Sequence, residues 1–176
     1  MVKPRIAPGS AVRPAGARGV VAHPDPGYIL FYGTLMRGFD LRRRADIDPL
    51  LRLVGAGAAR GALFDLGPYP AVVRAEGTVR GEVYAMTDPG RLLPRVDAVE
   101  CYLPDDPARS EYVRAEAPVA LEGGGHCTAW IYYYAQPLVG AVWIPSGDYR
   151  EYVTRVRRRP SAAGAAGARP AGRTLL

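Results

Sequence analysis

The run Tyr28-Ile29-Leu30-Phe31-Tyr32 is apolar or aromatic at every position and stops at Gly33-Thr34-Leu35. An unbroken run of this length predicts a buried strand, and the Gly-Thr pair that ends it predicts a turn whose backbone amides the strand leaves unpaired. From Met36 to Ile47 the apolar residues Phe39, Leu41 and Ile47 are sparse, which predicts a loop with one helical turn. Leu51 to Gly67 mixes apolar residues with Gly55, Gly57 and Gly61, poor helix chemistry that suits strands with bends or close backbone approach. Pro68-Tyr69-Pro70-Ala71-Val72-Val73 predicts an extended loop running into a short strand, because proline fixes its own φ and pushes the residue before it out of the helical region. Thr78 to Met86 alternates and is β-branched, and predicts a further strand.

Helical spacing is clear in one place. Asp88-Pro89 opens a segment in which Leu92, Leu93, Val96 and Val99 recur on one side, with Pro94 near its beginning as a shortening element. Asp97 and Glu100, three apart, share a side of this helix. Beyond it, Val113, Ala115, Ala117, Val119 and Leu121 alternate with Tyr112, Arg114 and Glu116, and the pattern resumes in His126 to Ala135 after Glu122-Gly123-Gly124-Gly125. The two runs predict a hairpin. Ile144 to Val153 reads as a turn followed by a short helical stretch. Strands outnumber helices, so the expected fold class is α+β: a small, strongly bent, mostly antiparallel sheet or barrel with a few flanking helices.

Charge separates the ends from the middle. Residues 1–27 and 154–176 are rich in Pro, Ala, Gly and Arg without a repeating apolar face, and are expected to be disordered tails around a domain at 28–153. The ends carry +3 and +6 of a total of +6, which leaves the intervening segment at −3. The sequence pI of 9.6 therefore describes the ends. Nucleic-acid recognition ordinarily starts from a basic folded face, so nucleic acid is not an expected partner: the tails read as solvated, and any weak contact with it would be theirs. No apolar run approaches the ~20 residues of a membrane span, and the N-terminus lacks the continuous apolar stretch of a secretory signal. With two cysteines, Cys101 and Cys127, no CxxC spacing and no histidine cluster, the expectation is a reduced cytoplasmic protein without metal or cofactor, its cysteines acting as small buried hydrophobes.

Several short motifs follow one another along the chain: Tyr32-Gly33-Thr34-Leu35 after the first strand, Pro68-Tyr69-Pro70-Ala71-Val72, Gly81-Glu82-Val83-Tyr84, Asp97-x-x-Glu100 with Tyr102, Tyr112-x-Arg114, Ala129-Trp130-Ile131-Tyr132-Tyr133, and Ser146-Gly147-Asp148-Tyr149. In this order, over about Tyr28 to Val153, the series resembles the gamma-glutamylcyclotransferase superfamily, including its AIG-like proteins and gamma-glutamylamine cyclotransferases. The resemblance implies a small bent β-barrel with a cavity beside the Tyr-Gly-Thr-Leu turn, gamma-glutamyl binding by Tyr32, Gly33, Thr34 and Leu35, and Glu100 as the acid/base. It also implies a small-molecule gamma-glutamyl substrate and release of 5-oxoproline. Where the family often has Leu before the Asp and Gly after the Glu, this chain has Val96 and Cys101, and the Cys101 side chain is expected to narrow the cavity.

The implied chemistry suits these residue types. Gly33 lets backbone approach a ligand with no Cβ between them, consecutive amides can cradle a carboxylate or oxyanion, and a carboxyl beside apolar neighbours can carry a proton between nitrogens. Taken singly, the other candidates have plainer readings. Tyr112 either contacts substrate or packs with its hydroxyl on a partner; Arg114 either pairs with a substrate carboxylate or, more plainly, belongs to a surface or structural ion pair; Asp97 reads as a solvated carboxylate, and Trp130 with Tyr132 to Tyr134 as core or barrel lining. His23 and His126 are poorly placed for base catalysis. Two functions stay open, a cyclotransferase and a non-catalytic binding module on the same barrel.

Overall fold

The computed structural model describes residues 26–158. The elements run β1 (Tyr28–Phe31), α1 (Leu41–Arg44), β2 (Leu51–Asp65), β3 (Pro70–Met86), α2 (Pro89–Val99), β4 (Tyr112–Leu121), β5 (His126–Tyr134), β6 (Val142–Ile144) and α3 (Tyr149–Arg158). Neighbours in the sheet follow the order β3-β1-β5-β4-β2-β6, and β2 also pairs with β3. That last pairing closes five strands into a barrel and leaves β6 as an extension on β2. All pairs are antiparallel except β1 with β5, joined in parallel at Ile29 and Trp130. The fold is thus the α+β barrel expected from the strand-rich pattern.

β2 and β3 form one long hairpin, from Leu51 opposite Met86 to Asp65 opposite Pro70, with irregularities at Leu53/Gly55 and Arg60/Ala62. The two strands read separately at Pro70 and at Thr78 are therefore one. Residues 74–77 bulge past Gly61 without ending the ladder, and such bulges bend a strand as a small barrel requires. Ile29, Val79, Val83, Val119 and Ile131 are fully buried at the centre. Each such side chain contributes roughly 1.5–3 kcal/mol over its exposed state.

β1 is buried along both faces after its first residue, in keeping with its unbroken apolar run. Its end sits where it does because Gly81 on β3 lacks a side chain: a Cβ there would lie 2.2 Å from the Phe31 carbonyl oxygen.

Helix α2 is capped by Asp88, whose carboxylate accepts from the Arg91 amide at 3.1 Å. Pro94 does not shorten it: the helix runs through to Val99 with Pro94 on its exposed side. The buried stripe is Leu92, Leu93, Val96 and Asp97. At the far end, Asp148 accepts from the Glu151 amide at 2.9 Å and starts α3, which continues five residues beyond Val153. The domain boundary read at 153/154 thus falls inside a helix. The rest of the two expected tails lies outside the described residues.

Candidate active site

β1 delivers Tyr32 to the barrel mouth, where its hydroxyl donates to the Tyr132 carbonyl of β5 at 2.6 Å. The chain then turns, with the Met36 amide donating to the Gly33 carbonyl at 3.0 Å. The Arg37 amide donates to Glu82 Oε2 at 2.8 Å, and Arg150 of α3 pairs with Glu82 at 3.0 Å, so the Gly81-Glu82-Val83-Tyr84 segment of β3 holds the far side of the loop. Gly33 has a packing role that the sequence did not show. A Cβ there would lie 2.5 Å from Pro70 Cγ, so the missing side chain makes room for Pro70.

Beside this loop lies a cavity of about 360 Å³. Tyr32, Gly33, Thr34, Leu35, Glu100 and Tyr112, the six residues singled out from the sequence, all line it. Phe31, Phe39, Pro70 and Val99 contribute apolar wall, and Asp40, Arg44, Tyr69, Glu111 and Tyr132 add polar groups.

Glu100 caps the C-terminus of α2, its amide donating to the Val96 carbonyl at 2.9 Å. The chain then turns sharply: Cys101 takes a φ of 49° and the Tyr102 amide returns to the Asp97 carbonyl at 2.8 Å. This closing turn sends Glu100 into the cavity while Cys101 points to solvent. Cys101 is exposed and absent from the lining, so it neither narrows the cavity nor serves as a buried hydrophobe. Cys127 is half-buried. Solvent reaches Glu100 through the cavity, yet protein surrounds its carboxyl on nearly every side. Burial, then the nearby Glu111 carboxylate and Asp97, push its pKa up from 4.5 to about 8.

Tyr112 does not stand free over the cavity; its hydroxyl donates to the Pro70 carbonyl at 2.8 Å. Burial, followed by the charges of Glu100 and Glu111, raises its pKa. Across the mouth, the Tyr69 hydroxyl donates to Glu111 Oε1 at 2.5 Å. Glu111 had no role in the sequence reading. Its position just before β4 gave no signal, and its proximity to Glu100 comes from the Glu111 amide donating to the Cys101 carbonyl at 3.1 Å.

Asp97 also departs from its sequence reading. It is only 9% exposed, not solvated, because it continues the stripe of Leu93 and faces the strands rather than water. Tyr132 donates to Asp97 Oδ1 at 2.6 Å, and Arg114 Nη1 lies 3.4 Å from Oδ2. Burial raises the Asp97 pKa, and both partners counter that rise. Arg114 is thus in a structural ion pair, one of its plainer sequence readings, and its guanidinium also lies 4.9 Å from the Trp130 ring and 5.7 Å from that of Tyr102.

A closed small barrel with a glutamate and a glycine turn lining one cavity defines a class of protein. The chain belongs to the gamma-glutamyl cyclotransferase, AIG2-like family, whose model matches residues 29–151. It is 34% identical over 87 residues to the gamma-glutamylcyclotransferase family protein YtfP of Escherichia coli K12, a match that takes in 49% of this chain and 66% of that one. The solution structure of ytfP from E. coli superposes with a TM-score of 0.50 at 29% identity, covering 72% of this chain and 98% of the other. An AIG2-like protein from Mus musculus gives a TM-score of 0.54 over 72% of this chain and 89% of that one, a likeness of fold at 20% identity. Among the described residues, no helix is long and apolar enough to cross a membrane.

Proposed function

We propose that this protein converts a gamma-glutamyl amine or peptide into 5-oxoproline and a free amine, with Glu100 moving the proton. The observation that carries the reading is that Glu100, a carboxyl with its pKa pushed up to about 8, lines the same cavity as Gly33, Thr34 and Leu35. The substrate brings its own nucleophile. Its α-amine nitrogen attacks the γ-carbonyl carbon, the ring C–N bond forms, and the bond from that carbon to the leaving nitrogen breaks. The Glu100 carboxylate takes the proton lost by the attacking nitrogen and gives it to the departing one, so nothing is left over.

Two contributions come from the site. Holding the gamma-glutamyl chain folded back on itself can supply up to about 7–11 kcal/mol of the barrier, a task for the walls formed by Tyr32, Leu35 and Tyr112. Each amide aimed at the developing oxyanion supplies roughly 2.7–4 kcal/mol in favourable sites, a task for the Gly33-Thr34-Leu35 turn. Because Glu100 must be ionised to accept a proton, kcat/KM rises with pH up to about 8. The test is incubation of the purified chain with a panel of gamma-glutamyl amines and detection of 5-oxoproline. The wild type releases it and Glu100→Gln does so about 10²–10⁴-fold more slowly; equal rates would remove Glu100 from the mechanism.

A further inference from the structure

Three side chains, one of them the cavity-lining Tyr132, form a chain of contacts that the chemistry above does not use. Tyr132 is fully buried and bonded at both ends: its carbonyl accepts from Tyr32 at 2.6 Å, and its hydroxyl donates to Asp97 at 2.6 Å. Tyr32 is the first residue of the Tyr-Gly-Thr-Leu turn, and Asp97 lies on α2 three residues before Glu100. The same strand residue thus grips the anchoring loop and the helix that presents the carboxyl. Asp97 in turn faces Arg114, whose Nη1 is buried and makes no hydrogen bond although it lies 3.4 Å from the Asp97 carboxylate.

We propose that Tyr132 and Asp97 are positioning residues that fix the spacing between the Gly33 turn and Glu100, with Arg114 as the counter-charge that makes a buried carboxylate tolerable at that junction. The inference rests on the function proposed above. A buried carboxylate is a costly way to hold a helix, since an apolar pair of the same volume often does as well. Here it supplies two things such a pair lacks. A hydrogen bond to a rigid phenol sets the helix end in register with β5, and a negative charge one helical turn from Glu100 favours its protonated form. Glu111, on the β4 side, also raises the Glu100 pKa, and the charge of Glu100 in turn raises those of Tyr112, Tyr32 at the end of β1, Tyr132 on β5 and the Cys101 thiol on its own turn. The test therefore compares variants in which Glu111, Tyr112, Tyr32 and Cys101 stay in place.

The full-length chain with 13C-labelled glutamate is titrated by NMR, following the Glu100 carboxyl carbon in the wild type, Asp97→Asn and Tyr132→Phe, with 5-oxoproline release measured on the same samples. Asparagine still accepts from Tyr132 but carries no charge, whereas phenylalanine keeps the ring and loses the bond. The Glu100 midpoint falls below the wild-type value in both variants, and further in Asp97→Asn. Turnover per folded molecule drops roughly 10- to 100-fold in Tyr132→Phe with KM little changed, and Asp97→Asn retains more of it. If both variants lose thermal stability while the Glu100 midpoint and the turnover of the folded fraction stay at wild-type values, the pair is structural only and the inference is overturned. Should one variant fail to fold, the other decides. An inactive wild type would defeat the proposed reaction while leaving the titration to judge the linkage; an active wild type with unmoved variants would defeat the linkage alone.

Discussion

Glu100 shows how one side chain couples site and stability. Its pKa in the folded protein, about 8, lies above its ordinary 4.5, so folding favours the proton. The stability it contributes is fully present below about pH 4.5 and is lost as pH rises to about 8, with a slope at most on the order of 1 kcal/mol per pH unit. Glu100→Gln never ionises. Urea unfolding at pH 5, 7 and 9 is therefore expected to show the variant nearest the wild type at pH 5, clearly more stable at pH 7, and ahead by a margin that levels off above about pH 8; a constant difference across the three would mean that Glu100 is not held away from water. Gly33 makes a second prediction at this scale. Since a Cβ would strike Pro70, Gly33→Ala must shift the turn or the proline, and a loss of 1–3 kcal/mol is expected, of the size seen for overpacked cores. Unchanged stability in that variant would contradict the contact.

Among the elements, the end of α2 is the most informative. Cys101 occupies the left-handed conformation that follows a helix C-cap, with φ at 49°, where a residue carrying a Cβ is strained and glycine is not. Here the resemblance to a family that often has glycine at this position finds its physical reason: it serves the turn that aims the glutamate, not the width of the cavity. Cys101→Gly is expected to stabilise the protein by about 1 kcal/mol, seen as a rise of roughly 2–4 °C in Tm. A fall would show that the thiol makes contacts worth more than the backbone strain. This element also marks the border of what the sequence makes legible. Apolar spacing located α2 and the placement of Asp97 with Glu100 on one side, because both follow from 3.6-residue periodicity. What Asp97 faces was not readable, since Tyr132 lies 35 positions away and meets it only after the barrel closes. The β2–β3 hairpin has the same limit: local composition announces the bends at Gly55, Gly57 and Gly61, but continuity through residues 74–77 depends on the partner strand.

For the molecule as a whole, net charge lies at the two ends of the sequence. The chain is +6 in total, and residues 1–25 and 159–176 carry +6 of it. The described residues 26–158 are thus neutral overall, and salt-sensitive adhesion to anionic polymers is expected to reside in the two ends. A chain trimmed to 26–158 should keep its Tm and its cavity chemistry while losing that adhesion; adhesion that survives trimming would relocate the basic surface to the barrel. At this scale the sequence was most readable through the order of its motifs. The barrel brings segments from β1, the turn before β3, the end of α2 and the start of β4 to one hollow, so residues spread from Tyr32 to Tyr112 become neighbours. Glu111 and Tyr69, which meet across its mouth, stayed hidden because neither belongs to a periodic pattern.

The central claim is that Glu100 moves the proton in cyclisation of a gamma-glutamyl group held beside the Gly33 turn. Its most direct test is the rate of 5-oxoproline formation as a function of pH, measured for the wild type and Glu100→Gln. The account predicts a wild-type rate that climbs to about pH 8 and a variant rate lower by about 10²–10⁴ there, the gap narrowing as pH falls and Glu100 takes up its proton; a variant that matches the wild type across the range would contradict it.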